Sequence, residues 1–378
     1  MQGTNLNLMH NMNIVVTGAE GFIGQNLCMM LSEQGYHHVT QVGKNTTRDE
    51  LIDCLKTADF IFHLAGVNRP QHEREFEQGN AELTQFIVDT LVSLEKKTPM
   101  MLSSSTQAEH ANPYGLSKLR AEQFVHQYAA STSAATYIYR LPNVFGKWCK
   151  PNYNSFVATF CHNIANDLPI SINDPSASVT LVYIDDVCQS LIDLLEGKTS
   201  PGWCQVQPEY STTVGDVAAL LNRFKDSRQT LVTENVGQGL TRALYSTYLS
   251  YFRPQQFCYS IPSYTDERGA FCEMLKTPSA GQFSFFSAHP GITRGGHYHH
   301  TKNEKFLVIK GKALFKFEHM ISGECYALEA SGSAPMIVET VPGWSHDITN
   351  IGDDELLVML WANEVFDRSA PDTFAHPL

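Results

Sequence analysis

Tyr114 and Lys118 stand four residues apart in the segment Asn112-Pro-Tyr-Gly-Leu-Ser-Lys118. If that segment opens a helix, both side chains lie on one face, about a turn apart. A phenol is a poor proton donor near neutrality because its ordinary pKa is about 10. A lysine alongside stabilises the phenolate and brings that acidity toward the working pH. Such a pair can protonate a carbonyl oxygen while a hydride arrives at its carbon. A tyrosine and a lysine on a solvated helix face is the plainer reading, so the surrounding residues decide. A second group lies far along the chain: His297, His299, Glu304 and His346. Two histidines one residue apart on a strand share a face, a glutamate from the next turn joins them, and a distant histidine completes a nitrogen and oxygen set. That set suits zinc or another divalent transition ion, and its two separated blocks argue against a mere histidine-rich surface patch.

Each group needs elements to hold it. Asn13 to Thr17 is a β-branched run that predicts a buried strand. It leads into Gly18-Ala-Glu-Gly21-Phe22-Ile23-Gly24 and then an apolar-periodic stretch to about Leu31. Strand, glycine turn and helix form a dinucleotide-binding unit, in which glycines admit a pyrophosphate and the helix N-terminus supplies N–H donors. A second strand, about Val39 to Val42, ends in Lys44 and Arg48 rather than an acid. Basic residues there suit a 2′-phosphate, so NADPH is expected rather than NADH. Phe60-Ile-Phe-His63-Leu64-Ala65-Gly66 reads as a third strand ending in small residues that face the cofactor, and Met100 to Leu102 as a fourth leading into Ser103-Ser104-Ser105. Asn80 is expected to open the helix between them.

Gly18/Gly21/Gly24, His63-Leu-Ala-Gly66, the triple serine, Tyr114/Lys118, Arg140-Leu-Pro-Asn143-Val-Phe-Gly146 and Val182-Tyr-Ile-Asp-Asp186 occur in the order and rough spacing of one family. From about Met12 to Lys225 the chain resembles the extended short-chain dehydrogenase/reductases, a Rossmann-type α/β fold. The resemblance implies that Ser105, with Ser104 as the alternative, hydrogen-bonds the substrate carbonyl, that Tyr114 donates the proton, and that Lys118 also holds the nicotinamide ribose. Family members work on nucleotide sugars, and Lys147 and Lys150, following Asn143, are cations suited to a diphosphate.

At 378 residues the chain exceeds one typical core. Residues 1–11 are polar and expected to be a disordered leader, residues 12–243 the NADP-binding domain, and residues 244–378 a second domain. The net charge of −12 argues against nucleic-acid partners. No run approaches the roughly 18 apolar residues of a membrane span, and no signal-peptide core is evident. Nine scattered cysteines, Cys258 among them, lack any Cys-x-x-Cys pair, so reduced thiols in a cytoplasmic protein are expected.

In the second domain, short alternating stretches separated by glycines and prolines predict a small all-β barrel. Gly291 to Gly311 and Pro342-Gly343-Trp-Ser-His346 to Asn350 resemble the two cupin motifs, with the proline one place nearer the histidine than usual. Asp266-Glu-Arg268-Gly-Ala-Phe-Cys-Glu273 and Arg294-Gly-Gly-His297-Tyr also resemble the metal-free sugar epimerases of the rhamnose pathway, which are cupins too. There the residue matching His297 is the base, and arginines like Arg268 and Arg294 hold the nucleotide diphosphate. His297 is therefore ligand or base, with ligand preferred. The fusion resembles the bifunctional capsular polysaccharide biosynthesis enzymes of the N-acetyl-L-fucosamine branch. It implies that the cupin (jelly-roll) barrel inverts C-3 of a UDP-linked 4-keto-6-deoxy-N-acetylhexosamine and that the reductase domain then reduces C-4 with NADPH. Two alternatives are a self-contained NAD-dependent nucleotide-sugar epimerase or dehydratase, and a cupin that only dimerises the chain. A homodimer is expected in either case.

Overall fold

The computed structural model describes residues 10–257, 259–300, 302–369 and 371–378. The chain divides into two compact units, one of Met1–Leu221 with Ser246–Tyr251, the other of Asn222–Tyr245 with Phe252–Leu378. In the first unit the branched side chains of Ile14–Thr17 (β1) are all buried, as a central strand requires. There follow Phe22–Glu33 (α1), Val39–Val42 (β2), Arg48–Thr57 (α2), Phe60–His63 (β3), Leu83–Ser93 (α3), Met100–Ser105 (β4), Pro113–Thr132 (α4) and Thr136–Leu141 (β5). Next come Asn143–Phe145 (β6), Phe156–Ala165 (α5), Ser178–Tyr183 (β7), Ile184–Leu195 (α6), Gly202–Cys204 (β8), Tyr210–Thr213 (β9) and Val214–Thr230 (α7). The main sheet is parallel, in the order β2-β1-β3-β4-β5-β8. Val15, Ile61, Leu102 and Ile138 from neighbouring strands share one core with Leu55, Leu91 and Val125 from the covering helices. The strand order reverses between β1 and β3, and ligands of such sheets bind beyond the strand carboxyl ends at that switch point. Strand β6 pairs with β7, and β7 with β9, in a separate small sheet.

Two expectations change here. Asn80 does not open a helix: the helical run starts at Arg74, and Asn80 lies in a π-helical turn, Glu77–Glu82, just before α3. The side-chain pattern shows periodicity but not an inserted residue, and such π turns gather at functional sites. The division read near Ala243 falls inside Gly239–Leu249 (α8), where Ala243, Leu244 and Tyr248 are buried. Polar residues dilute that helix's periodicity, and Gly239 begins it. Of the expected leader, residues 1–9 lie outside the described residues, whereas the His10 ring packs edge-on to Tyr36 at 5.4 Å. Cys258 also lies outside them; the described cysteines are all free thiols. Among the described residues no helix is long and apolar enough to cross a membrane.

The second unit is antiparallel. Its strands are Tyr264–Asp266 (β10), Gly269–Thr277 (β11), Gly281–Ala288 (β12), Thr293–Tyr298 (β13), Glu304–Lys310 (β14), Lys312–His319 (β15), Cys325–Ser331 (β16), Ile337–Glu339 (β17), Trp344–Asn350 (β18), Leu356–Ala362 (β19) and Phe374–Ala375 (β20). They form two sheets, β10-β11-β12-β19-β14-β17 and β16-β15-β18-β13-β20. Alternate residues turn inward: Ala313, Phe315 and Phe317 of β15 meet Phe306 and Val308 of β14 and Val358 of β19 in one core. This is the all-β barrel that the alternating stretches predict, in the two-sheet jelly-roll form that the cupin resemblance implies.

Candidate active sites

The carboxyl end of β4 and the first turns of α4 bring the reductase-type residues together. Asn112 caps α4 by accepting from the Gly115 N–H at 2.8 Å, and Pro113 occupies the first helical position, where its missing N–H costs nothing. The three serines of β4 then face successive turns of that helix. Lys118 Nζ donates to the Ser103 carbonyl at 2.9 Å, Ser104 Oγ donates to Glu122 at 2.5 Å, and the Ser105 hydroxyl hydrogen-bonds Tyr114. Lys118 is buried, and burial lowers its pKa to about 8, with the Glu122 charge opposing. Burial also raises the Tyr114 phenol above its ordinary value, against the Ser105 hydrogen bond. The expected acidification of Tyr114 by Lys118 is thus not what this arrangement gives, because the ammonium is turned to Ser103.

Asn80 ties the end of β3 to this group. Its amide accepts from the Val67 N–H and donates to the Val67 carbonyl and to Ser117 Oγ. Behind it runs a chain of hydrogen bonds with a single consistent sense. Ala65 N–H donates to Thr17 Oγ1, and Thr84 Oγ1 donates to the Asn80 carbonyl. His63 bridges the two hydroxyls at 2.7 and 2.9 Å, so its Nδ1 accepts from Thr17 and its Nε2–H donates to Thr84. Burial, with the Lys118 charge second, holds His63 at a pKa of about 3, neutral as that chain requires.

The glycine turn is tightly built. Gly18 adopts φ +68°, and a Cβ there would stand 2.7 Å from the backbone of Ala65, while one on Gly24 would stand 2.3 Å from the Gly18 carbonyl. Gly21 caps α1, and Phe22 and Ile23 place their N–H groups at the helix N-terminus. Leu64 N–H bonds the Thr17 carbonyl, and a Cβ on Gly66 would meet Asn80 Oδ1 at 2.8 Å and Lys118 Nζ at 3.0 Å. These features fit a dinucleotide lying across the β1 and β3 ends. At the β2 end, a cavity of about 400 Å³ is lined by Glu20, Gly43, Asn45, Thr46 and Glu50. Lys44 adjoins it, whereas the Arg48 guanidinium lies 4.9 Å from the Phe86 ring centre. Asn143 is exposed and donates to the Thr180 carbonyl at 3.2 Å; Lys147 is ion-paired with Asp185, and Lys150 lies 5.5 Å from the Tyr153 ring.

In the second unit, His297, His299, Glu304 and His346 hold their nitrogen and oxygen atoms within 4.8 Å of one another. His297 of β13 sits opposite His346 of β18, and Glu304 opens β14 of the other sheet. A bulge between Gly295 and His297, built on glycines of φ +96° and +74°, re-aims the strand there. Glu304 Oε2 lies 3.4 Å from Nε2 of both His299 and His346, and Lys302 Nζ lies 2.7 Å from Oε1. Burial would raise the Glu304 pKa, but His299, His346 and Lys302 outweigh it and hold the carboxyl well below its ordinary value. His297 is the more exposed member, and burial, then His346, lowers it to about 4. Three imidazoles converging on one buried carboxylate match a divalent metal's donor set. Arg268, at the β10–β11 hairpin, pairs with Asp266 at 2.5 Å. Arg294 lies over Phe286, and its buried Nε has no acceptor among the described residues. Burial, then Arg268, lowers the Arg294 pKa.

Sequence reasoning missed Glu122 and gave no role to Arg140, whose guanidinium binds both Glu122 oxygens at 2.9 and 2.7 Å. The signal was available, since Glu122 follows Lys118 by the same four residues that separate Lys118 from Tyr114. It also missed Lys302 and Asp372, which no local pattern marks.

Residues 14–202 match the NAD dependent epimerase/dehydratase family, and residues 264–374 match the polysaccharide biosynthesis C-terminal domain. The chain is 53% identical over 365 residues to a UDP-2-acetamido-2,6-beta-L-arabino-hexul-4-ose reductase from Pseudomonas aeruginosa, covering 96% of this chain and 98% of the relative. The solved structure of the capsular polysaccharide assembling protein CapF from Staphylococcus aureus superposes with a TM-score of 0.89 at 43% identity, covering 97% of this chain and all of that one. WbmF from Bordetella bronchiseptica, solved with NAD+, has a TM-score of 0.55 at 19% identity over 64% of this chain and 92% of its own, a likeness of fold alone.

Proposed function

The chain belongs to the NAD dependent epimerase/dehydratase family, and from that premise we propose that it is a bifunctional nucleotide-sugar enzyme. Its C-terminal barrel epimerises C-3 of a UDP-2-acetamido-2,6-dideoxy-4-hexulose. Its N-terminal unit reduces the C-4 ketone to a UDP-N-acetyl-6-deoxy-L-talosamine-type sugar, on the capsular N-acetyl-L-fucosamine route. One observation carries this reading: a Ser105, Tyr114 and Lys118 group and a buried cluster of three histidines and a glutamate occur in a single chain. Chemistry sets the order, since the C-3 hydrogen is acidic only while C-4 is a carbonyl, so inversion precedes reduction.

In the first unit Ser105 orients the C-4 oxygen, Tyr114 donates its proton to it, and Lys118 holds the cofactor ribose. NADPH, when bound, supplies the hydride. In the barrel, His299, Glu304 and His346 would hold a divalent ion, zinc by donor type, with His297 as the fourth ligand; the alternative role for His297, the more exposed member, is the base that takes the C-3 proton. The metal, when bound, polarises the C-4 carbonyl. Arg268 and Arg294 bind the nucleotide diphosphate, as do Lys147 and Lys150 in the reductase unit. The exposed edge strands β16 and β17 suit a homodimer.

Incubation with the UDP-4-ketosugar and NADPH, followed by NMR, is expected to show one product inverted at C-3 and reduced at C-4, with one NADPH consumed per turnover. A single specific observation favours NAD instead: the Glu20 carboxylate lies against Gly43 at the β2 end, where a 2′-phosphate would sit. Exposed charge contacts are worth about 0–1 kcal/mol, so Lys44 and Arg48 are expected to give NADPH a kcat/KM advantage of about fivefold. Equal values, or a preference for NADH, would remove those two residues from the 2′-phosphate. Return of the hydride without net oxidation would favour the self-contained epimerase.

The pH profile offers another expectation. With its pKa lowered to about 8, Lys118 loses its charge as the pH rises through that value. The kcat/KM for cofactor, which reports groups in the free enzyme, should fall about tenfold per pH unit above it. A flat profile into the range of an ordinary lysine would contradict the role given to Lys118.

A further inference from the structure

Resting on the metal reading of the barrel, we propose that the segment 372–378 is a working part of that site, with Asp372 the positioning residue for His299. His299 Nδ1 lies 2.5 Å from the Asp372 carbonyl oxygen. A carbonyl only accepts, so Nδ1 carries the hydrogen, and Nε2 presents its lone pair toward Glu304 and the facing rings of His297 and His346. That is the tautomer a metal ligand needs, and a partner on the far nitrogen fixes both ring orientation and basicity. The same residue also grips the turn that joins two of the four donors. Its carboxylate accepts from the His300 N–H at 2.9 and 3.2 Å and from the Lys302 N–H at 2.8 Å, between His299 and Glu304.

The residues after Asp372 hold it there. Strand β20 pairs with the ligand strand at His297↔Ala375 and Tyr298↔Phe374, and the Phe374 ring stacks on Tyr298 at 5.3 Å. His376 N–H donates to the Gly296 carbonyl at 2.8 Å, and Ser345, next to His346, donates to the His376 carbonyl at 2.6 Å. By contrast, His346 Nδ1 is buried and has no hydrogen-bond partner among the described residues. Packing therefore orients His346, while His299 is oriented by a hydrogen bond that this segment supplies.

The test uses the full chain carrying Asp372→Ala or Asp372→Asn, with zinc affinity measured by chelator competition and cobalt(II) as a spectroscopic probe. Asp372→Ala keeps the main-chain carbonyl but removes the carboxylate that clamps it to the 300–302 turn, so the carbonyl should no longer be held on His299 Nδ1. Metal binding should then weaken toward the level that loss of such a supporting partner costs, about 10–100-fold. Asp372→Asn keeps one carbonyl-type acceptor for the turn and should fall between that variant and the native protein. The cobalt bands of Asp372→Ala should shift, which a purely structural role would not produce in the folded fraction. On the native chain, zinc should slow amide hydrogen exchange in 372–376 together with 297–304. Native zinc affinity with native cobalt bands in Asp372→Ala, or exchange in 372–376 that ignores zinc, would overturn this inference alone. A native chain that binds no zinc would overturn the metal reading and this inference together.

Discussion

Tyr114→Phe is expected to bind NADPH nearly as the native protein does and to reduce the ketosugar about 10²–10⁴-fold more slowly, the usual cost of losing a positioned general acid. The substitution removes one oxygen. The ring keeps its contact with Phe76, whose centre lies 5.6 Å away, and the glycine turn, Asn80 and Lys118 are untouched. Ser105 remains to orient the carbonyl, so the loss should appear in kcat rather than in KM. Ser104 cannot take over, because its hydroxyl is engaged with the buried Glu122 carboxylate, which Arg140 holds in turn. The measurement is NADPH oxidation at saturating ketosugar, beside a fluorescence titration of cofactor. Near-native turnover with native cofactor affinity would take Tyr114 out of the mechanism.

What could be read in advance followed the range of the forces involved. Local rules fix the glycine turn, the capped start of α4 and the four-residue spacing of Tyr114 and Lys118, and all three are in place. The donor cluster was also legible, because residues one apart on a strand share a face and because His346 stands in a recognisable second block. The ion pairs were not. Lys147 was read as a cation suited to a diphosphate, with no sign that Asp185 from another element pairs with it, and nothing local marked that Arg48 lies against Phe86. The π turn at Asn80 and the helix spanning Ala243 depend on tertiary packing that overrides a weak periodic signal. Asp372 lay furthest from reach, since its hydrogen bond to His299 spans 73 positions and nothing around it carries a motif.

The two halves should separate under His346→Ala. Removing one of the buried donors leaves the ion short of a ligand and the Glu304 carboxylate short of a partner, so the purified variant should hold far less metal than the native protein. Inversion at C-3 needs a base for the proton and something to take up charge on the C-4 oxygen. A Lewis acid supplies several kcal/mol of that stabilisation, so exchange of the C-3 hydrogen in deuterated water without NADPH should fall about 10²–10³-fold. Reduction should survive, giving the C-4 alcohol with C-3 uninverted. Tyr114→Phe should do the reverse, exchanging the hydrogen but not reducing the ketone. Among the described residues the reductase site offers no evident base for C-3: Lys118 is engaged with the Ser103 carbonyl, both His63 nitrogens are bonded, and Glu122 is tied to Ser104 and Arg140. If metal-poor His346→Ala exchanges at the native rate while Tyr114→Phe does not exchange at all, inversion belongs to the reductase unit. The barrel would then be better read as a module that joins two chains.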